Sequence, residues 1–149
     1  LRMVLGDARL RLREAPARGY DLILLDAFSS DAIPTHLITR EAIDLYLSKL
    51  AEGGLIAFHI SNRCLDLQPV LGALARHAQL VCRAHDENDP SPEEAADGKD
   101  QSHWLVMARL TEDLGRLMRD GRWGPVDPPS HVRVWTDDYS DILSVSRWD

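Results

Sequence analysis

The chain has 149 residues, which is enough for one domain and short for two. Hydrophobic residues make up 44% and charged residues 28%, a composition that excludes a disordered chain, and the net charge of −7 argues against a nucleic-acid partner. No apolar run approaches the roughly 20 residues that span a bilayer, and the N-terminus has no signal-peptide pattern, so we expect no membrane contact.

Strand-type and helix-type patterns alternate along the chain, which predicts βαβ units and a largely parallel sheet. Asp7, Thr39 and Asp66 are each placed to cap a helix. Near-continuous apolar runs at residues 20–26 and 55–60 are typical of parallel strands buried on both faces. Further strands are expected over residues 2–5, 79–84 and 103–110, and a short helix over residues 111–120.

Charge is distributed unevenly. Seven acidic residues and a single base, Lys99, lie between His85 and Ser102, together with two prolines and a glycine. We interpret residues 1–149 as one domain carrying a flexible acidic loop at 85–102, although the loop could also bind a polyamine or a metal ion. The arginines at positions 9, 11, 13 and 18 predict a solvated helix face rather than an anion site.

Cysteine and histidine usage indicates a reducing compartment without a metal site. Cys64 and Cys82 cannot build a disulfide framework, and the six histidines show no metal-ligand spacing. We therefore expect a cytoplasmic protein. His59, near the end of a predicted strand, is interpreted as packed or bonded to a loop rather than as a base.

Two carboxylates follow the most apolar predicted strand. Asp26 ends that strand and Asp31 lies in the next loop. Ligands of open α/β sheets bind beyond the carboxyl ends of the strands, so these side chains could hold and deprotonate a cationic amine. The alternative is a purely structural role in fixing the loop. A phosphorylated receiver domain is disfavoured, because no acidic doublet and no complete βαβ unit precede Asp26.

Several motifs in order along the chain resemble the spermidine synthase family. They are Gly6-Asp7-Ala8, residues 20–26, Ser29-Ser30-Asp31 with Pro34, Gly53-Gly54-Leu55, residues 59–63 and residues 136–140. Residues 26–37 resemble more narrowly the bacterial spermidine-synthase-like proteins, some of which are fused to transporter segments. The resemblance covers nearly the whole chain.

The resemblance implies roles for individual residues. Asp26 matches the carboxylate that orients and deprotonates the attacking amine, and Asp31 matches a second acidic residue of the substrate loop. Asp7 and Ala8 match the pair that contacts the adenine of decarboxylated S-adenosylmethionine. Asp138 and Tyr139 are expected to close the amine pocket. No metal or other cofactor is required, and the nucleoside would be a co-substrate.

The resemblance also implies a fold. We expect a three-layer α/β sandwich with a mostly parallel sheet of about five strands, equivalent to a truncated, Rossmann-like domain of the S-adenosylmethionine-dependent methyltransferase type. The strand at residues 103–110 is expected to run antiparallel at the sheet edge. The Gly-rich cofactor loop of the family has no counterpart before Gly6. Residues 2–5 would then pair directly with residues 20–26, or another chain would supply the missing edge.

Three functional hypotheses follow. The first is a spermidine synthase-like domain that is not catalytic by itself and retains an edge for a nucleoside or an amine. The second is an active polyamine aminopropyltransferase-like transferase, completed by a partner chain or a missing segment. The third is a protein-interaction module. Because the strand at residues 20–26 would expose apolar surface, we expect a homodimer. The alternative is a monomer in which the strand at residues 2–5 closes the gap and the Pro-rich tail from Pro125 onward wraps the exposed side.

Overall fold

The computed structural model describes residues 2–28, 33–87, 93, 96, 98 and 101–147. They form three helices and one five-stranded sheet with the strand order β1-β2-β4-β3-β5. The elements in chain order are α1 (Ala8–Arg13), β1 (Tyr20–Leu25), α2 (Arg40–Lys49), β2 (Leu50–His59), α3 (Gln68–His77), β3 (Val81–Glu87), β4 (Ser102–Ala108) and β5 (Gly124–Pro125), with short 3-10 helices at Thr35–Leu37, Glu112–Met118 and Leu143–Val145.

α1 and α2 begin at the predicted caps, whereas the N-cap of α3 is Leu67, one residue after the predicted Asp66. Asp7 Oδ1 accepts a hydrogen bond from the backbone N–H of Leu10 at 2.8 Å, and Thr39 Oγ1 accepts one from the N–H of Ala42 at 3.2 Å. Asp66 Oδ1 accepts from the N–H of Gln68, the first residue of α3, at 3.1 Å. These side chains satisfy N–H groups that have no partner inside the helix.

The sheet is mixed, and the expected α/β, Rossmann-like fold class is confirmed. β1 pairs in parallel with β2, whereas β4 runs antiparallel to both β2 and β3. The strands β1, β2 and β3 therefore all point the same way. The antiparallel direction of β4 agrees with the expectation, but β4 lies inside the sheet and not at its edge, because it is hydrogen-bonded on both sides.

One face of the sheet carries the main core. Side chains of α2 and α3, including Ile43, Tyr46 and Leu71, pack there against Phe58 and Leu105. On the opposite face the 3-10 helix at Glu112–Met118 covers a small cluster around Ala57 and Val106. Within the described residues, the third layer of the expected sandwich is therefore represented by this short helix.

The start of the chain and the burial of β1 differ from the expectations. Residues 2–5 do not form a strand, and Met3 and Leu5 are about four-fifths exposed. β1 is an edge strand bonded to β2, and its outward-facing Leu22 and Leu24 are 52% and 54% exposed. The apolar run was interpreted as buried on both faces, which is wrong because no described element packs on the outer face of β1.

The acidic segment and the tail complete the description. Residues 85–87 are the end of β3 and Ser102 begins β4, while most residues between them lie outside the described part of the chain. The tail leaves Leu22 and Leu24 of β1 about half exposed. It pairs through β5 with β3, and Val126 packs close against Gly72 of α3.

Candidate functional site

The carboxyl ends of β1 and β2 bring two polar side chains together. Leu25 is in register with Phe58, so the next residues, Asp26 and His59, become neighbours across the parallel pair. Asp26 Oδ1 and His59 Nδ1 lie 2.7 Å apart. His59 therefore bonds the segment that follows β1, as expected of a loop-bonded histidine.

A continuous hydrogen-bond chain runs from Asp26 into the protein. His59 Nε2 lies 2.7 Å from Ser61 Oγ, and that oxygen accepts the backbone N–H of His103 at 2.8 Å. The serine proton is then free to point at Nε2, which leaves the imidazole proton on Nδ1, facing the carboxylate. In the tautomer with its proton on Nδ1, His59 donates to Asp26 and accepts from Ser61.

The surroundings hold this arrangement in place and leave part of it open to solvent. Trp104 of β4 stacks on the imidazole with ring centroids 4.5 Å apart and an interplanar angle of 17°. The Asn62 amide donates to the carbonyl of Phe28 at 2.8 Å, which ties the segment after β1 to that after β2. The side chain of Asp26 is 56% exposed and that of His59 is 22% exposed.

Asp7 has partners on both of its carboxylate oxygens. Oδ1 caps α1, and Oδ2 lies 3.0 Å from Nε2 of His36, in the segment that leads from β1 to α2. The hydrogen bond from the Leu10 N–H, followed by the one from His36, lowers the pKa of Asp7 below its usual value. Ala8 is the first residue of α1.

A second charged contact at this edge was not anticipated, since Arg9 was expected on a solvated helix face. Arg9 is only 7% exposed and forms a bidentate pair with Asp137, with Nη–Oδ distances of 2.6 and 2.8 Å. Thr39 also donates to Asp137, at 2.8 Å. The hydrogen bonds from Arg9, and then that from Thr39, lower the pKa of the Asp137 carboxyl.

The remaining predicted site residues make contacts within the tail, are exposed there, or lie outside the described part of the chain. Tyr139 closes a turn with Thr136, and its ring lies under the guanidinium of Arg133, 4.0 Å from the ring centroid. Asp138 is exposed in that turn. Asp31 lies outside the described residues, so its expected place beside Asp26 stays a prediction.

We also searched the described residues for a metal site, a membrane-spanning helix and a pocket. Over the described ranges, no three His, Cys, Asp or Glu residues lie close enough to hold a metal ion. No helix in the same ranges is long and apolar enough to cross a membrane. An open pocket of about 530 Å³ is lined by the 3-10 helix at Glu112–Met118. This helix follows β4, which runs antiparallel to β2, so the pocket lies toward the opposite ends of the strands from Asp26.

The fold and the position of the site define a Rossmann-like α/β protein with polar side chains at the carboxyl ends of its parallel strands. A probable spermidine synthase from Corynebacterium glutamicum ATCC 13032 has the same fold, with a TM-score of 0.51 and 18% identity over 88% of this chain and 56% of that chain. A polyamine aminopropyltransferase of Vibrio vulnificus (strain CMCP6) is 43% identical over 53 residues, which are 34% of this chain and 18% of the relative. No family model matches. The chain thus spans about half of the solved relative, and the match to the curated relative covers less than a fifth of that protein.

Proposed function

We propose that the chain supplies the amine-binding edge of a spermidine synthase-like protein, with Asp26 as the group that holds a ligand ammonium. The observation that carries this proposal is the geometry of its carboxylate. His59 occupies Oδ1, while the side chain remains 56% exposed at the carboxyl end of β1. An ammonium group could therefore reach Oδ2, and a charge-assisted hydrogen bond there would orient the amine.

Asp7, which the resemblance matches together with Ala8 to the adenine-contacting pair, is less available to a ligand than Asp26. Both oxygens of Asp7 already have partners, one in the cap of α1 and the other at His36. Fewer acceptor positions are therefore left on Asp7 for a nucleoside than on Asp26 for an amine. We therefore propose that this chain binds an amine more readily than a nucleoside and does not transfer an aminopropyl group by itself. The fully active transferase, in which another segment or chain provides the Gly-rich loop, is the alternative.

Calorimetric titration with putrescine tests the amine site. The Asp26→Asn variant should bind putrescine about tenfold more weakly, because it removes the charge from one exposed charge-assisted hydrogen bond. Asp21→Asn is the matched control, since Asp21 is an exposed carboxylate on β1, the strand that Asp26 follows. 1,4-Butanediol, with the same carbon chain and no charge, should not bind. Equal affinities for Asp26→Asn and the parent chain would contradict the proposal.

Titration with decarboxylated S-adenosylmethionine and methylthioadenosine distinguishes a domain that only binds amines from a complete transferase. Micromolar nucleoside binding, with aminopropyl transfer to putrescine, would favour the complete transferase. Binding of putrescine alone would support an amine-binding edge.

The free thiols of Cys64 and Cys82 fit the proposed cytoplasmic location.

A second proposal concerns self-association. β1 is an edge strand with a half-exposed apolar face, and Met3, Val4 and Leu5 add exposed apolar surface near the start of the chain. Unpaired strand edges of this kind attract other strands. We propose a symmetric homodimer in which each copy covers the β1 face of the other.

A further inference from the structure

The hydrogen-bond chain at the carboxyl ends of β1 and β2 links a hydroxyl, an imidazole and a carboxylate in that order. We propose that Ser61 carries an activated, nucleophilic hydroxyl, with His59 as its base and Asp26 as the carboxylate that orients the base. The substrates that suit such a group are electrophilic acyl or phosphoryl centres, such as esters. Such a constellation is recognised by geometry and roles and not by the order of its residues in the chain.

The distances and the direction of each hydrogen bond fit these roles. Both contacts of the imidazole, to Ser61 and to Asp26, measure 2.7 Å, within the reach expected of a nucleophile, its base and an orienting group. The His103 N–H donates to Ser61 Oγ, which leaves the hydroxyl proton available for Nε2 when His59 carries its own proton on Nδ1. The opposite tautomer would aim the lone pair of Nδ1 at a carboxylate, which is repulsive.

The site is also preorganised and accessible. The stacked Trp104 ring restricts rotation of the imidazole, so little entropy is lost when the base acts. The His103 N–H that donates to Ser61 Oγ holds this hydroxyl in place beside Nε2. Ser61 is half-buried and His59 keeps 22% of its side-chain surface exposed, so both residues of the proposed pair have some contact with solvent.

The chemistry can be tested with a reagent that supplies its own electrophile. Ser61 Oγ attacks the phosphorus of a fluorophosphonate, the new P–O bond forms as the P–F bond breaks, and fluoride leaves. The hydroxyl proton passes to His59 Nε2, and the resulting imidazolium is paired with the Asp26 carboxylate. With an ester, the same proton would return from Nε2 to the departing alkoxide as the acyl-serine forms.

The experiment is to treat the full chain with an alkyl fluorophosphonate, follow labelling by intact mass and locate the modified residue by peptide mapping. We expect one modification, at Ser61, that is absent from Ser61→Ala. Because general-base catalysis contributes typically 10²–10⁴-fold, His59→Ala should label at least about a hundredfold more slowly. Asp26→Asn should slow labelling by about tenfold, a smaller effect than at a buried triad because this carboxylate is exposed. Ser144→Ala, which removes an exposed hydroxyl bonded to the carbonyl of Asp141, is the matched control and should label normally.

Two results would overturn the proposal. One is labelling of Ser61 no faster than that of Ser144 in the same molecules. The other is an unchanged rate in His59→Gln, a variant that keeps a hydrogen-bonding side chain against Asp26 but has no base. Circular dichroism of each variant confirms that it is folded. The proposal does not rest on amine binding, because a chain that labels at Ser61 and ignores putrescine would refute only the proposed function.

Discussion

Replacing Leu22 and Leu24 together with threonine should dissociate the proposed homodimer. Burying a whole leucine side chain stabilises by about 2 kcal/mol. Both leucines are about half exposed, so burying the exposed half of each in a dimer would contribute about 1 kcal/mol. Two leucines from each of two copies then contribute about 4 kcal/mol, or about a thousandfold in the dissociation constant. Threonine keeps the strand propensity of β1 while it removes most of this apolar surface.

Sedimentation velocity over a range of micromolar concentrations measures the effect. The parent chain should sediment as a dimer of 16.7 kDa subunits, and the double variant as a monomer at the same concentrations. The matched control is Leu110→Thr with Leu143→Thr, which removes similarly exposed leucines far from β1 in sequence and should leave the dimer intact. A parent chain that is monomeric throughout the range would refute the reasoning, as would dissociation by the control variant.

Two further predictions concern charge and thiol chemistry. The pKa of Asp137 is lowered in the folded chain by its hydrogen bonds from Arg9, so its stabilising contribution should be complete above the ordinary carboxyl pKa of about 4 and disappear as the pH falls through the lower folded value. Urea unfolding between pH 7 and pH 3 should therefore show a shallower loss of stability in Asp137→Asn than in the parent chain, and equal slopes would count against this pair. Burial raises the pKa of the Cys82 thiol to about 12, whereas Cys64 is exposed. Ellman's reagent should thus titrate one thiol rapidly in the native chain and two in denaturant, and fast reaction of the Cys64→Ser variant would contradict this.

Local signals in the sequence predicted local structure well. Asp7 and Thr39 each cap a helix as expected, because an N-cap depends on a side chain and an N–H only a few residues apart. The apolar run at residues 20–26 likewise formed a strand. Its burial could not be predicted from the run itself, since exposure of Leu22 depends on which elements pack over the sheet.

The candidate site was predictable in part. Asp26 could be singled out because it follows a strand, but its partner His59 is 33 positions away and becomes its neighbour only through the register of two parallel strands. Polar residues that end two adjacent parallel strands would have been a usable signal. The pair of Arg9 with Asp137 had no such signal, because nothing local in α1 indicates what the tail will contact.

That pair has a consequence for the order in which the chain folds. The two residues are 128 positions apart, so the contact closes a loop that includes almost the whole protein. Closing so long a loop is entropically costly unless the intervening sheet has already drawn its ends together. Native contacts of α1 with the tail should accordingly form late in refolding, and during synthesis α1 should remain without its anchor until Asp137 has left the ribosome.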